Sequence, residues 1–380
     1  MVWWNTLRLK SNNPEVRRKS LENLDVEDGR THELLVAGLD DEDDQVRCAA
    51  AKGLGQIKDD KSVDALVVAL HDPSNEVREA AAIGLARVGD SRAHRQLANL
   101  LRDSHPGVRR SAAGALRSLG WKPSTTEEQA VFDVALGHAR AAAFAGQAAV
   151  KALVTELKHD TSFKRRAAAE ALEEVDDPRA IQPLLAALAD EDPTVRVSAI
   201  HALGKDASGE VRLRLRKLFL DPDPHVRLAA AEVLAKRVDP AFAPDFLGLL
   251  SDNNFEVRLT AVQFLGRIRD PELAEALLPL LADSDSDVRL AVAQALGTMG
   301  GSATIGALVL TLTDEERAVR QAAELALGRI DQNWMYSESA QRARVRLEAS
   351  LNDQRAWVRS AAAQVLAKLN APLGEASAAA

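Results

Sequence analysis

The chain has 380 residues, a formal net charge of −8, 46 % apolar residues and only 4 % aromatics. Nucleic-acid-binding domains normally carry a basic excess or stripe, so this balance argues against a polyanion as the main partner. A single cysteine, Cys48, excludes an internal disulfide, and no run of about 18 apolar residues is present to span a bilayer. With an amino-terminal apolar run too short for a signal peptide, the expectation is a cytoplasmic protein without membrane contact.

In chain order, Trp3 and Trp4 come first and are expected to cover the open apolar face of a terminal unit. A Val-Arg pair then recurs at Val16-Arg17, Val46-Arg47, Val77-Arg78 and Val108-Arg109, and again at Val195-Arg196, Val226-Arg227, Val257-Arg258, Val288-Arg289, Val319-Arg320 and Val358-Arg359. Most intervals are 31 residues, and Lys164-Arg165 is a degenerate copy one interval before Val195-Arg196. A period of this length marks stacked repeats and displaces any single-core reading of the length. Within one copy, Val63, Leu66, Val67 and Leu70 have helical spacing, residues 71–75 form a turn in which Ser74 or Asn75 can cap, and Val77, Ala80, Ala81, Leu85 and Val88 form a second helix ended by Gly89. Each unit is therefore a helical hairpin, and the fold class is all-α, an α-solenoid of about eleven stacked hairpins.

An Asp precedes the repeat Arg by six residues in nine units. Residues repeated in every unit serve stacking, which every unit must do, so these pairs are assigned to a structural ladder: Asp72, Arg78, Asp103, Arg109, Asp190, Arg196, Asp221, Arg227, Asp252, Arg258, Asp283 and Arg289. Each Asp is expected to close its turn and to pair with an Arg of its own or the adjacent unit. Arg suits this role because its fork binds a carboxylate bidentately.

The core pattern Asp-x-x-x-x-Val-Arg-x-Ala-Ala-x-x-Leu-Gly-x-Ile, close to residues 41–57, 252–268 and 283–299, resembles HEAT repeats of the short bacterial type also found in phycobilisome lyases. The resemblance covers roughly residues 14–369. It implies a scaffold or adaptor, or alternatively a subunit of a bilin lyase-isomerase or similar modification enzyme, and fold alone does not choose between them.

The spacing slips twice. Arg109 and Arg165 are 56 residues apart, and the extra segment, 121–147, carries capping-box patterns at Ser124 to Glu127 and Thr125 to Glu128. It is expected to be an inserted helical element within the same solenoid, between amino-terminal repeats over 1–120 and carboxy-terminal repeats over 148–370. Arg320 and Arg359 are 39 apart, with the added residues around 331–336, where Trp334 and Tyr336 are candidate interface anchors or, equally, fillers of a widened gap. Trp357 is expected to cover the last hairpin, and residues 371–380 are expected to form a disordered tail.

Catalytic chemistry finds little support. No His-x3-His or Cys-x2-Cys pair, phosphate-binding Gly-rich loop or Gly-x-Ser-x-Gly elbow occurs, and the dipeptide His32-Glu33 stands alone. The expectation is a non-enzymatic protein with no cofactor and no metal. What varies between units is more informative. Positions five and nine residues after the repeat Arg lie one turn apart, outside the apolar stripe of the second helix. His201, Glu232, Gln263 and Gln294 occupy the first lane, and Lys205, Lys236, Arg267 and Arg329 the second. Second helices of such solenoids usually line the concave face, so these residues, with Trp334 and Tyr336, are the candidate site for a protein or peptide partner with an acidic surface. Two alternatives to this electrostatic groove stand beside it: that the basic lane merely complements helix carboxyl ends, and that the same face binds nucleic acid.

Overall fold

A computed structural model describes residues 8–57, 59–206 and 208–371. Trp3, Trp4 and the tail expected beyond Ala371 lie outside the described residues. The chain divides into two compact units, Met1–Ala202 and Leu203–Ala380. Among the described residues every regular element is helical, and no helix is long and apolar enough to cross a membrane. Each unit is a stretch of α-solenoid built from hairpins.

The hairpin Asp60–Ala69 and Asn75–Val88 illustrates the construction. Val63 and Leu66 on the first helix, and Val77, Ala81 and Leu85 on the second, are buried at three-and-four spacing. Asp59 caps the first helix by accepting the Ser62 N–H. Ser74 stands at the cap position of the second, but its hydroxyl turns to Glu76 and makes no cap bond. Gly89 ends that helix in the left-handed region at φ 86°, where a Cβ would be strained. Some other second helices are capped by a side chain: Asp43, Asp223 and Asp285 each accept the N–H groups of the second and third residues after them, and Asn254 accepts that of Val257.

Small residues let second helices approach closely. A Cβ built on Gly55 would lie 2.5 Å from the Cα of Gly84, and one on Gly297 would lie 2.8 Å from the Cα of Ala326. The glycine after the repeat Leu is thus fixed by helix–helix approach at these positions. In the unit Leu203–Ala380 the seam also takes aromatics: Phe246 stacks on Phe264 with centroids 3.8 Å apart and meets Phe219 edge-on at 5.2 Å.

The inserted segment is a shortened hairpin. Its first helix is Thr126–Ala135, where Thr125 accepts the Glu128 N–H while the Glu128 carboxylate accepts from the N–H and hydroxyl of Ser124. Its second is only Ala139–Ala143. Trp121 packs edge-on against Phe132 at 5.4 Å and leads the chain into it. At the second slip, a turn of 3-10 helix, Trp334–Tyr336, precedes a long helix, Glu338–Ser350.

Candidate functional site

The repeat Arg makes two kinds of bond. Its Nη1 donates to the carbonyl of the Asp six residues earlier, closing its own turn: Arg78 to Asp72, Arg109 to Asp103, Arg196 to Asp190, Arg227 to Asp221, Arg258 to Asp252 and Arg289 to Asp283, all at 2.8–3.0 Å. Its Nε and Nη2 fork onto the carboxylate of the Asp 25 residues later, in the next hairpin: Arg47 to Asp72, Arg78 to Asp103, Arg165 to Asp190, Arg227 to Asp252, Arg258 to Asp283 and Arg289 to Asp314. The carboxylate also accepts a turn N–H, as Asp72 does from Ser74 at 2.8 Å. One side chain therefore ties its own turn to the following one.

The electrostatics follow from this geometry. Burial pushes the carboxyls of Asp72, Asp103, Asp190, Asp252 and Asp283 upward, but hydrogen bonds from the paired Arg and the turn N–H outweigh it and hold them below the ordinary value. The same hydrogen bonds raise Arg47, Arg78, Arg227, Arg258 and Arg289. Perturbed groups often mark active sites, but here each shift has a stacking partner as its cause.

Where the insert displaces the next turn, Arg109 donates to Glu156 at 2.6 Å, 47 residues on, and both side chains are buried. Glu156 is a functional part of the ladder that the residue pattern alone did not single out. Its signal is a carboxylate three residues after Leu153, on the apolar stripe of Val150–Glu156. The Asp position of that unit is His159, whose Nδ1 accepts the Thr161 N–H as an Asp oxygen would. Beside Arg109, the helices frame a cavity of about 140 Å³ with Val131, Val134 and Ala152 in its wall. That is below the size of ordinary small-molecule sites.

The lane residues Lys205, Glu232, Lys236, Gln263, Arg267, Gln294 and Arg329 lie in Leu203–Ala380 and are all exposed. His201 belongs to the other unit and is half-buried. Arg267 reaches back to the carbonyl of Ala235 at 2.8 Å, at the carboxyl end of the helix Pro224–Ala235. This is the macrodipole interaction expected of a cation there. Lys236 and Arg329 form no ion pair among the described residues.

Trp334 opens the turn of 3-10 helix Trp334–Tyr336. Its side chain is buried, 6 % exposed, because it fills the gap opened by the longer spacing before Glu338–Ser350. Tyr336 is half-buried, and its hydroxyl has no hydrogen-bond partner among the described residues. Trp357 is partly exposed under the Arg355 guanidinium, 5.2 Å from the ring centroid. His32 and Glu33 join no metal-ligand set, since no group of three His, Cys, Asp or Glu suited to a metal occurs among the described residues.

No curated protein matches the chain. Among solved structures, an engineered protein is 24 % identical, with 90 % of this chain and 99 % of that chain covered and a TM-score of 0.42. The Escherichia coli protein YibA is 18 % identical, with 76 % and 97 % covered and a TM-score of 0.36. The family model for HEAT repeats matches residues 5–74, 32–117, 63–133, 125–204, 181–254 and 243–328, so with its hairpins and repeated Val-Arg the chain belongs to the HEAT-repeat family.

Proposed function

We propose that the protein is a non-enzymatic scaffold that holds a protein or peptide partner with an acidic surface against the second-helix face of Leu203–Ala380. HEAT repeats form a scaffold suited to protein interaction. The observation that carries the finer reading is the recurrence of exposed Lys205, Lys236, Arg267 and Arg329 at one register position of their repeats. Glu232, Gln263 and Gln294, one turn away, add polar contacts. Such a row steers an acidic surface into place even where a few anchors supply most of the affinity.

Lys236→Glu and Arg329→Glu test this directly, because neither residue is tied to the fold by an ion pair. Both variants should melt like the parent, while partner capture from host lysate slows and loses part of its salt dependence. Capture with unchanged rate and salt dependence would rule the lane out. A purified protein carrying a bilin absorbance band would favour the lyase-subunit alternative instead.

A further inference from the structure

A different surface, on the first-helix side of the same unit, departs from the repeat pattern. Most first helices present aliphatic and small residues, but Gly209–Lys217 places four cations within residues 212–217. Val211 and Leu215 are buried and hold the helix in the stack. Arg212 pairs with Asp239 and Arg216 with Asp245, whereas Arg214 and Lys217 are exposed and form no ion pair among the described residues. Leu213 is 52 % exposed and Leu220 is 90 % exposed beside these charges.

Between this helix, the turn Leu218–Leu220 and the next first helix, Ala243–Leu249, runs a groove of about 790 Å³. Leu213, Phe219, Leu220, Pro244 and Leu249 supply its apolar lining, and Arg216 and Lys217 its basic edge. Phe219 is held edge-on by Phe246, so this part of the lining is set by the core before anything binds.

We propose that this groove is a second docking site, distinct from the basic lane, for an acidic amphipathic helix of a protein partner. Its apolar face would cover Leu213 and Leu220, and its carboxylates would meet Arg214 and Lys217. An apolar helix face laid in a groove is a recurrent recognition mode, and the unpaired cations specify the sign of its flanks. A nucleic acid fits less well. Leu213, Phe219, Leu220 and Pro244 in the lining offer a phosphate backbone nothing, whereas an apolar helix face covers them.

The test uses the full chain and a fluorescently labelled peptide of leucine and glutamate, with leucines at i, i+3, i+4 and i+7, read by anisotropy. Saturable binding is expected, weakened about tenfold by Leu220→Asp and to a similar degree by Arg214→Glu with Lys217→Glu, and unchanged by Lys236→Glu. These side chains are exposed, so circular dichroism and melting should match the parent and separate lost binding from lost fold. The proposal fails if binding is absent, if it survives the groove substitutions, or if Lys236→Glu abolishes it. It also fails if a DNA duplex binds as tightly as the peptide and is lost with the same variants. Failure of the lane to capture a partner would leave this result untouched, because the two faces are varied separately.

Discussion

The Arg–Asp ladder makes a quantitative demand at Arg258 and Asp283. Their side chains are 12 % and 8 % exposed, and two bonds of 2.7 Å join them. Asp283→Asn keeps one oxygen, which can still accept the Asp285 N–H now bonded at 2.9 Å, but it turns an amide donor toward Arg258. A hydrogen bond to a charged group nets about 1.5–3 kcal/mol, and breaking a buried ion pair costs about 3–5 kcal/mol. Arg258 retains the Asp252 carbonyl at 2.8 Å, which limits the loss. The expected destabilisation is about 2–3 kcal/mol. Arg258→Lys should cost about 2 kcal/mol, because an ammonium cannot fork onto both oxygens.

Urea unfolding followed by circular dichroism at neutral pH measures both, and hydrogen exchange should rise most in the hairpins on either side, since each contacts only its neighbours. The folded Asp283 carboxyl titrates below its unfolded value, so its contribution is present above about pH 4 and is lost as the pH falls through the folded pKa. The gap between parent and Asp283→Asn should therefore close in acid. Shifts below about 0.5 kcal/mol in both variants would refute the reasoning and leave apolar burial alone to stack the hairpins.

Glycine substitutions should diverge in sign. Gly297→Val drives its side chain toward the Ala326 backbone and should lower stability by about 1–3 kcal/mol, whereas Gly114→Ala meets nothing within 4 Å inside the helix Pro106–Ser118 and should raise it by about 0.5–1 kcal/mol, both read from thermal melts. Glu156→Ala removes the buried carboxylate partner of Arg109, which keeps only the carbonyls of Asp103 and Ser104 among the described residues, and should cost about 2–3 kcal/mol in urea unfolding, with exchange rising first around the insert. Burial, then the nearby Lys164 charge, lowers the His159 pKa, so the folded state favours the neutral ring. Stability from that source is present above the unfolded value of about 6.5 and falls as pH drops through the folded pKa. Melts between pH 7.5 and 5 should show a step that His159→Asn removes, because Asn can still accept the Thr161 N–H.

The hairpins were legible because two periods coincide in the sequence: the helical spacing of Val77, Ala81 and Leu85, and the recurrence of Val-Arg. The direction of the ladder was not. Whether Asp103 receives Arg78 or Arg109 depends on reach across neighbouring turns, and the structure gives its carboxylate to Arg78 and its carbonyl to Arg109. Glu156 escaped because a substitute partner occupies no repeat register. Trp334 was open to two readings because composition says an aromatic favours contact without saying from which side it is covered. The basic groove was missed for the opposite reason: residues 211–216 alternate apolar and charged side chains, and a pattern of recurring positions passes over a repeat that departs from it.

The two slips show how insertion length decides whether a ladder can be mended. The first places a whole shortened hairpin between Arg109 and the next full one, and the first helix of that following hairpin brings Glu156 within reach, so the guanidinium keeps a buried carboxylate. The second adds too little chain for a new hairpin and too much to hold the register. Among the described residues Arg320 bonds only the carbonyls of Asp314 and Glu315, and Asp353 turns to Arg355 in its own turn. Coupling there passes to other contacts: the buried Trp334 indole, and Lys368 on Glu324. An ion pair that recurs because every hairpin must stack is thus replaced by apolar filling where the spacing forbids it. The Arg–Asp pairs follow the stacking geometry, which leaves partner recognition to side chains that the stack does not use.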